Sequence, residues 1–251
     1  MGFESWHAFY QSDLQSVYAL LVLPGLFLLY LLGTGRWRAS DSEQSDERFL
    51  RLYCLAFAFA TLLDPIATGP IAKAVGGTFP TAAGLLFVLL GDFRVFLLLF
   101  VLCRGDRNQR RVWGEALLWT PAVAVSAFAL AAALDLALGE QPPRLLWLIH
   151  ELLFVAMACW LRGRVIPART LADPERRGAL QRIAGFVVVY YGLWATADVL
   201  ILFGGFDWGY LLRAIPNQLY YAVWIPFVYF TLSTRTSAEP GSRFSSFIAR
   251  K

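Results

Sequence analysis

The sequence predicts an all-α, polytopic integral membrane bundle of seven transmembrane helices, with its amino terminus outside and its carboxyl terminus in the cytoplasm. Three observations predict it. Of 251 residues, 58% are hydrophobic and only 16% charged, with a mean hydropathy of +0.54, whereas a soluble domain carries about 25% charged residues. Seven apolar stretches are long enough to cross roughly 30 Å of hydrocarbon, which takes about 20 residues. The basic residues crowd into alternate connections, the asymmetry that orients helices in a bilayer.

The expected spans are 17–33, 49–73, 81–103, 113–138, 145–162, 181–204 and 208–233. Their apolar runs are continuous rather than alternating, which excludes a β-barrel reading. Short connections make consecutive helices antiparallel neighbours. Residues 1–16 read as an extracytoplasmic leader, with Glu4 and Asp13 and no basic residue, and no cleavage site follows the first apolar run. Trp6 stands where a myristoylation signal needs Ser or Thr. Residues 17–235 form the seven-helix domain and 236–251 a cytoplasmic tail. The fourth span, with small residues from Ala122 to Ala133, is expected to pack closely against its neighbours.

Eighteen of the 22 Lys and Arg fall on one side. The first connection carries Arg36, Arg38, Arg48 and Arg51, the third Arg104, Arg107, Arg110 and Arg111. The fifth carries Arg162, Arg164, Arg169, Arg176, Arg177 and Arg182, and the tail Arg235, Arg243, Arg250 and Lys251. Lys73 and Arg144 fall on the other side; Arg94 and Arg213 fall within spans. The basic pI near 9.1 therefore records topology and contact with anionic lipid, not a nucleic-acid partner.

Several chemistries lack their residues. A retinal Schiff base needs a buried lysine, and the only lysines are Lys73 and Lys251. Bis-histidine haem and multi-histidine zinc sites need more than His7 and His150. Cys54, Cys103 and Cys159 form no Cys-x-x-Cys pair and read as small packing residues. No cofactor and no metal is expected.

What remains is an intramembrane polar set. Ionisable groups inside spans cost roughly 2.5–3.5 kcal/mol each on insertion scales and mark functional sites by default. Here they include Asp64, Asp92, Arg94, His150, Glu151, Asp198 and Arg213, joined by Asn217 and Gln218. Given the topology, five helices place them in one layer between the midplane and the outer face, which predicts an outward-opening polar pocket. The bland alternative is a set of buried ion pairs that fix helix register. Asp92 and Arg94 are two residues apart and cannot face each other on a helix, so Arg94 is expected to take its acid from Asp64, Glu151 or Asp198. Asp64-Pro65-Ile66-Ala67-Thr68-Gly69-Pro70 and Ile215-Pro216-Asn217-Gln218 interrupt helical bonding beside this layer. Tyr190, Tyr191, Trp194, Tyr220, Tyr221 and Trp224 lie deep enough for core packing or for the wall of a pocket suited to an apolar or amphipathic ligand.

Leu85-Leu86-Phe87-Val88-Leu89-Leu90-Gly91-Asp92 resembles the Gly-Asp helix of the YhhN-type lysoplasmalogenases. Ala195-Thr196-Ala197-Asp198-Val199-Leu200-Ile201-Leu202-Phe203 is similar to that family's Ser-Asp helix, which precedes a helix with paired tyrosines, here Tyr220-Tyr221. The resemblance covers roughly thirty residues of short hydrophobic pattern. It implies a hydrolase that cleaves the vinyl ether of lysoplasmalogens, with Asp92 and Asp198 as the catalytic acids. Asp64-Pro65 stands where the family has Lys-Pro, Ala197 replaces the serine, and that family has eight spans.

Three functions follow. The preferred one is a pocket that binds a small or lipid-like molecule through Asp64, Arg94, His150, Glu151, Trp194, Arg213, Asn217 and Gln218, with ether-lipid hydrolysis by Asp92 and Asp198 as its enzymatic form. A small-solute transporter of three-plus-one-plus-three helices would pair Asp64 with Asp198 and Asp92 with Asn217. A non-catalytic receptor or complex subunit would use the pocket without chemistry. The expected partners are membrane lipid and the ligand, with oligomerisation compatible, and the expected location is the bacterial cytoplasmic (inner) membrane.

Overall fold

The protein was analysed as a computed structural model, which describes residues 5–34, 45–104 and 108–236. The basic positions 36, 38 and 107, residues 1–4 of the leader and all but the first residue of the tail at 236–251 lie outside the described residues.

Every regular element among the described residues is helical. A short helix, α1 (Trp6–Gln11), leads into α2, which runs through Leu14–Tyr18 and Ala19–Gly33. Helix α3 is Ser45–Ile66 continued by Ala67–Ile71 and Ala72–Val75; α4 is Phe79–Leu102 and α5 is Gln109–Leu138. Helix α6 is Arg144–Trp160 with Leu161–Val165 and Ile166–Arg169, and α7 is Pro174–Leu202. Helix α8 joins Trp208–Gln218, Leu219–Val223 and Trp224–Thr236.

Six of these, α2 to α7, are long and apolar enough to cross a membrane. The seventh expected span corresponds to α8, whose segments of 11, 5 and 13 residues give ample length at about 1.5 Å per residue. It falls short in hydropathy because Arg213, Asn217, Gln218 and several tyrosines sit on it. A helix shielded by neighbours has no need of an apolar surface all round.

Three helices widen into a π-type turn at a proline. Leu161–Val165 precedes Pro167, Leu219–Val223 precedes Pro226, and Ala67–Ile71 contains Pro70. The proline ring collides with the carbonyl four residues back, and a wider turn relieves the collision without ending the helix. The Asp64–Pro70 segment is therefore a continuous, widened helix, and the Thr68 hydroxyl donates to the Asp64 carbonyl at 2.8 Å.

Sequential helices pack side by side, and α8 closes the bundle against α2, α3 and α7. The two halves of α4 have opposite surroundings. Val95–Cys103 is continuously buried among Phe154, Leu161, Ile183, Val187 and their neighbours, forming a dry apolar core. In the half that runs from Phe79 to Leu90 only Ala83 is buried. Helix α5 departs from the close packing expected of it. Val123, Ala124 and Ala127 are buried, whereas most of its alanine-rich second half faces outward, as small residues also do where only lipid meets them. Cys54 and Cys103 are buried packing residues, but Cys159 is exposed on the outside of α6.

Candidate functional site

A cavity of about 400 Å³ lies in the half of the bundle that holds α1. Helical spacing explains which side chains reach it. On α7, Tyr191 and Trp194 stand three residues apart, an interval that keeps one face. On α8, Arg213, Asn217 and Tyr220 also keep one face, and the widened turn reduces the angle between neighbours so that Tyr221 joins the wall. Helix α3 contributes Asp64 and Thr68, one turn apart. Helix α6 contributes His150 and Glu151, and α4 contributes Gly84, Phe87 and Val88.

Six of the ten residues expected at the site line this cavity: Asp64, His150, Glu151, Trp194, Arg213 and Asn217. The two expected catalytic acids do not. Asp92 stands one layer behind the wall, where its Oδ1 accepts from the Tyr191 hydroxyl at 2.6 Å and its Oδ2 meets His150 Nε2 at 3.0 Å. Asp198 is completely buried behind two arginines: its Oδ1 accepts from Arg144 NH1 at 2.9 Å and also from Arg213 NH1. Both aspartates hold cavity-lining groups in place instead of meeting the cavity themselves.

Arg94 corrects a further expectation. No carboxylate among the described residues lies within ion-pair reach of it. Its guanidinium stacks 3.8 Å above the Tyr220 ring, donates to the Tyr220 carbonyl at 2.9 Å, and approaches Thr61 Oγ1 at 3.4 Å. A ring face and a carbonyl supply the negative potential that an acid was expected to supply. Arg94 and Asp64 both line a small void of about 10 Å³, on the scale of a single water molecule. Arg94 and Asp92 point to different neighbours: Arg94 toward α3 and α8, Asp92 toward α6 and α7. Gln218 turns away from the cavity, and its Nε2 donates to the Ala19 carbonyl on α2 at 3.3 Å.

Hydrogen bonds knit the wall together across helices. The Tyr221 hydroxyl donates to Asp64 Oδ2 at 2.8 Å, Trp194 Nε1 donates to Asn217 Oδ1 at 2.9 Å, and Arg213 NH1 reaches Glu151 Oε1 at 3.4 Å. Two lining residues had no signal in the sequence. Tyr10, in the segment read as a leader, accepts from Arg213 Nε and Asn217 Nδ2, each at 3.3 Å. Arg144, read as a loop residue, reaches inward to Asp198 and lies 4.9 Å from the Tyr210 ring. Helix α1 is seated on α8 because the Asp207 carboxylate accepts from its first backbone N–H groups, Trp6 at 2.6 Å and His7 at 3.1 Å. The only available foresight was the absence of charge from 5–12, which marks a segment able to dock on the bundle.

No group of three or more His, Cys, Asp or Glu able to hold a metal occurs among the described residues. Comparison with known protein families, curated proteins and solved structures finds no match for the chain.

Proposed function

We propose that the chain is a seven-span protein of the bacterial inner membrane, amino terminus outside and carboxyl terminus in the cytoplasm, whose cavity binds a small or lipid-like molecule from the outer side. The observation that supports this most is the convergence of six of the ten expected site residues, from α3, α6, α7 and α8, on one cavity of about 400 Å³. That volume falls in the range of small-molecule sites, roughly 300–1,000 Å³. Register-fixing ion pairs alone would have no reason to surround open space. The wall joins charged groups to the rings of Trp147, Tyr191 and Trp194, a combination suited to an amphipathic ligand. The test is chemical access. With the three native cysteines replaced, Ser16→Cys, a lining position, is labelled by a membrane-impermeant maleimide added outside intact cells. Labelling only after the cytoplasmic face is opened would sink both the orientation and the outward cavity.

A hydrolytic version draws on one observation, the contact between Asp92 and His150. A carboxylate that fixes an imidazole lining a cavity is the arrangement by which a histidine moves a proton. In this version His150 exchanges a proton with water or substrate, while Asp92 and Tyr191 orient its ring. Asp198 acts through Arg144 and Arg213. Purified protein given a lysoplasmalogen would release an aldehyde, and His150→Ala and Asp92→Asn would each abolish the release. Absence of wild-type turnover, or turnover that survives both changes, removes this version.

A further inference from the structure

The charges around the cavity do not balance. Three guanidinium groups, Arg94, Arg144 and Arg213, stand among four carboxylates, Asp64, Asp92, Glu151 and Asp198. Counted over these seven groups, one negative charge is left over, and the carboxylates themselves are almost wholly buried. Asp64, Asp92, Glu151 and Asp198 are 6%, 1%, 4% and 0% exposed. An uncompensated charge in such surroundings is strongly unfavourable. A proton taken up by the cluster or a bound cation makes up the difference.

The distribution of partners favours the cation. The arginines on the wall are engaged: Arg144 with Asp198 and the Tyr210 ring, Arg213 with Asp198, Glu151 and the Tyr10 hydroxyl. The positive charge of both arginines is thus already shared with carboxylates, and an anionic ligand would add to the excess of negative charge. The carboxylates are less satisfied. Asp64 is held by two hydroxyl groups, Tyr221 at 2.8 Å and Thr68 at 3.3 Å, and no arginine among the described residues lies within ion-pair distance of it. Glu151 lines the cavity with its Oε2 buried and without a hydrogen-bond donor. Around these acids stand the rings of Tyr10, Trp147, Tyr191, Trp194, Tyr220 and Tyr221, and aromatic faces attract organic cations.

We infer that the cavity takes a ligand carrying one positively charged nitrogen, an organic ammonium, whose charge is balanced by Glu151 and Asp64 and whose carbon substituents rest on the aromatic rings. This rests on the cavity reading above and names the chemical class of its occupant. The purified full chain in nanodiscs, with Ser16→Cys as reporter, is labelled with maleimide in the presence of choline or n-butylammonium. Parallel reactions contain a neutral analogue of choline, 3,3-dimethylbutan-1-ol, and an anionic one, 3,3-dimethylbutanoate. The expected result is protection by an ammonium probe at concentrations about tenfold lower than either analogue needs, the factor that corresponds to 1.4 kcal/mol. Glu151→Gln and Asp64→Asn, each verified as folded by its unfolding midpoint, weaken that protection about tenfold. Equal protection by the neutral or anionic analogue overturns the inference and leaves the cavity reading standing. So does labelling that no probe slows, the result expected if a proton within the cluster completes the balance, and so does protection unchanged in both variants. A reporter that resists labelling altogether overturns the cavity reading and this inference with it.

Discussion

Two aspartates each hold two arginines, one pair at either end of the bundle. Asp198 gathers Arg144 and Arg213 onto one oxygen, and its side chain is 0% exposed. Asp46 spreads Arg104 and Arg176 over two oxygens, at 2.8 and 2.7 Å, and its side chain is 25% exposed. The residue types are the same, so the difference lies in the surroundings. At the Asp46 end, water shares the charge, and the cluster clamps the start of α3, the end of α4 and the start of α7 over a dry core. At the Asp198 end, no water reaches the carboxylate, and the pair of arginines it fixes forms the wall of a cavity. Charge at one end fastens helices; charge at the other shapes a cavity.

Replacing Asp198 should break the buried cluster most severely. Asp198→Asn leaves Arg144 and Arg213 without their shared counter-ion, and removing one partner of a buried ion pair costs about 3–5 kcal/mol. Unfolding in detergent, followed by tryptophan fluorescence, measures it. A loss no larger than that of Asp46→Asn would mean that burial does not separate the two clusters.

Next in size is a steric test of the polar half. A Cβ built on Gly91 would fall 1.6 Å from the Tyr220 hydroxyl oxygen and 2.7 Å from the ring carbon that bears it. Gly91→Ala therefore pushes Tyr220 off Arg94, and overpacking of this kind costs about 1–3 kcal/mol. Tyr220→Phe, which removes the clashing oxygen but keeps the ring over Arg94, should return part of the loss in the double variant. Strictly additive losses would show that the hydroxyl is not what Gly91 accommodates.

A smaller effect tests the seat of α1. Asp207→Ala removes the acceptor for the Trp6 and His7 N–H groups, and loss of a helix-terminal acceptor costs about 0.5–2 kcal/mol. The change should appear as faster hydrogen exchange confined to α1 and α8 next to it. Exchange that rises equally throughout α3 and α7 would mean that α1 is part of the general scaffold.

These tests fall where the sequence was least legible. The helices α2 to α7 could be read because continuous apolar runs have one physical explanation, and the polar residues stood out because charge inside such runs is costly. Position along a span gives depth but not rotation about the helix axis. Depth alone groups Asp92 and Asp198 with the other polar residues, yet rotation about the helix axis places them behind His150 and Arg213 and not on the cavity. Arg94 illustrates a second limit. A buried guanidinium demands negative potential, and nothing local reveals whether a carboxylate, a carbonyl or a ring face will supply it. Tyr10 and Arg144 were passed over because both lie outside apolar runs, and their contacts reach Arg213 and Asp198 over more than fifty residues of sequence. Only the closed bundle brings them together.

The mildest change sharpens the comparison most. Asp46→Asn removes the charge that binds Arg104 and Arg176 but keeps an oxygen acceptor, and partly exposed pairs contribute about 0–1 kcal/mol. Salt separates this small loss from a nonspecific one. Raising ionic strength from about 0.01 M to about 1 M shortens the screening length from roughly 30 Å to roughly 3 Å, so the gap between wild type and Asp46→Asn should shrink toward zero. The gap for Asp198→Asn should hardly move, because counter-ions cannot approach a carboxylate that is 0% exposed. Unfolding midpoints of the three proteins at both salt concentrations make the comparison. If both gaps close together, the Asp198 cluster is open to solvent, and its arginines then behave as surface charges and not as the fixed wall of a cavity.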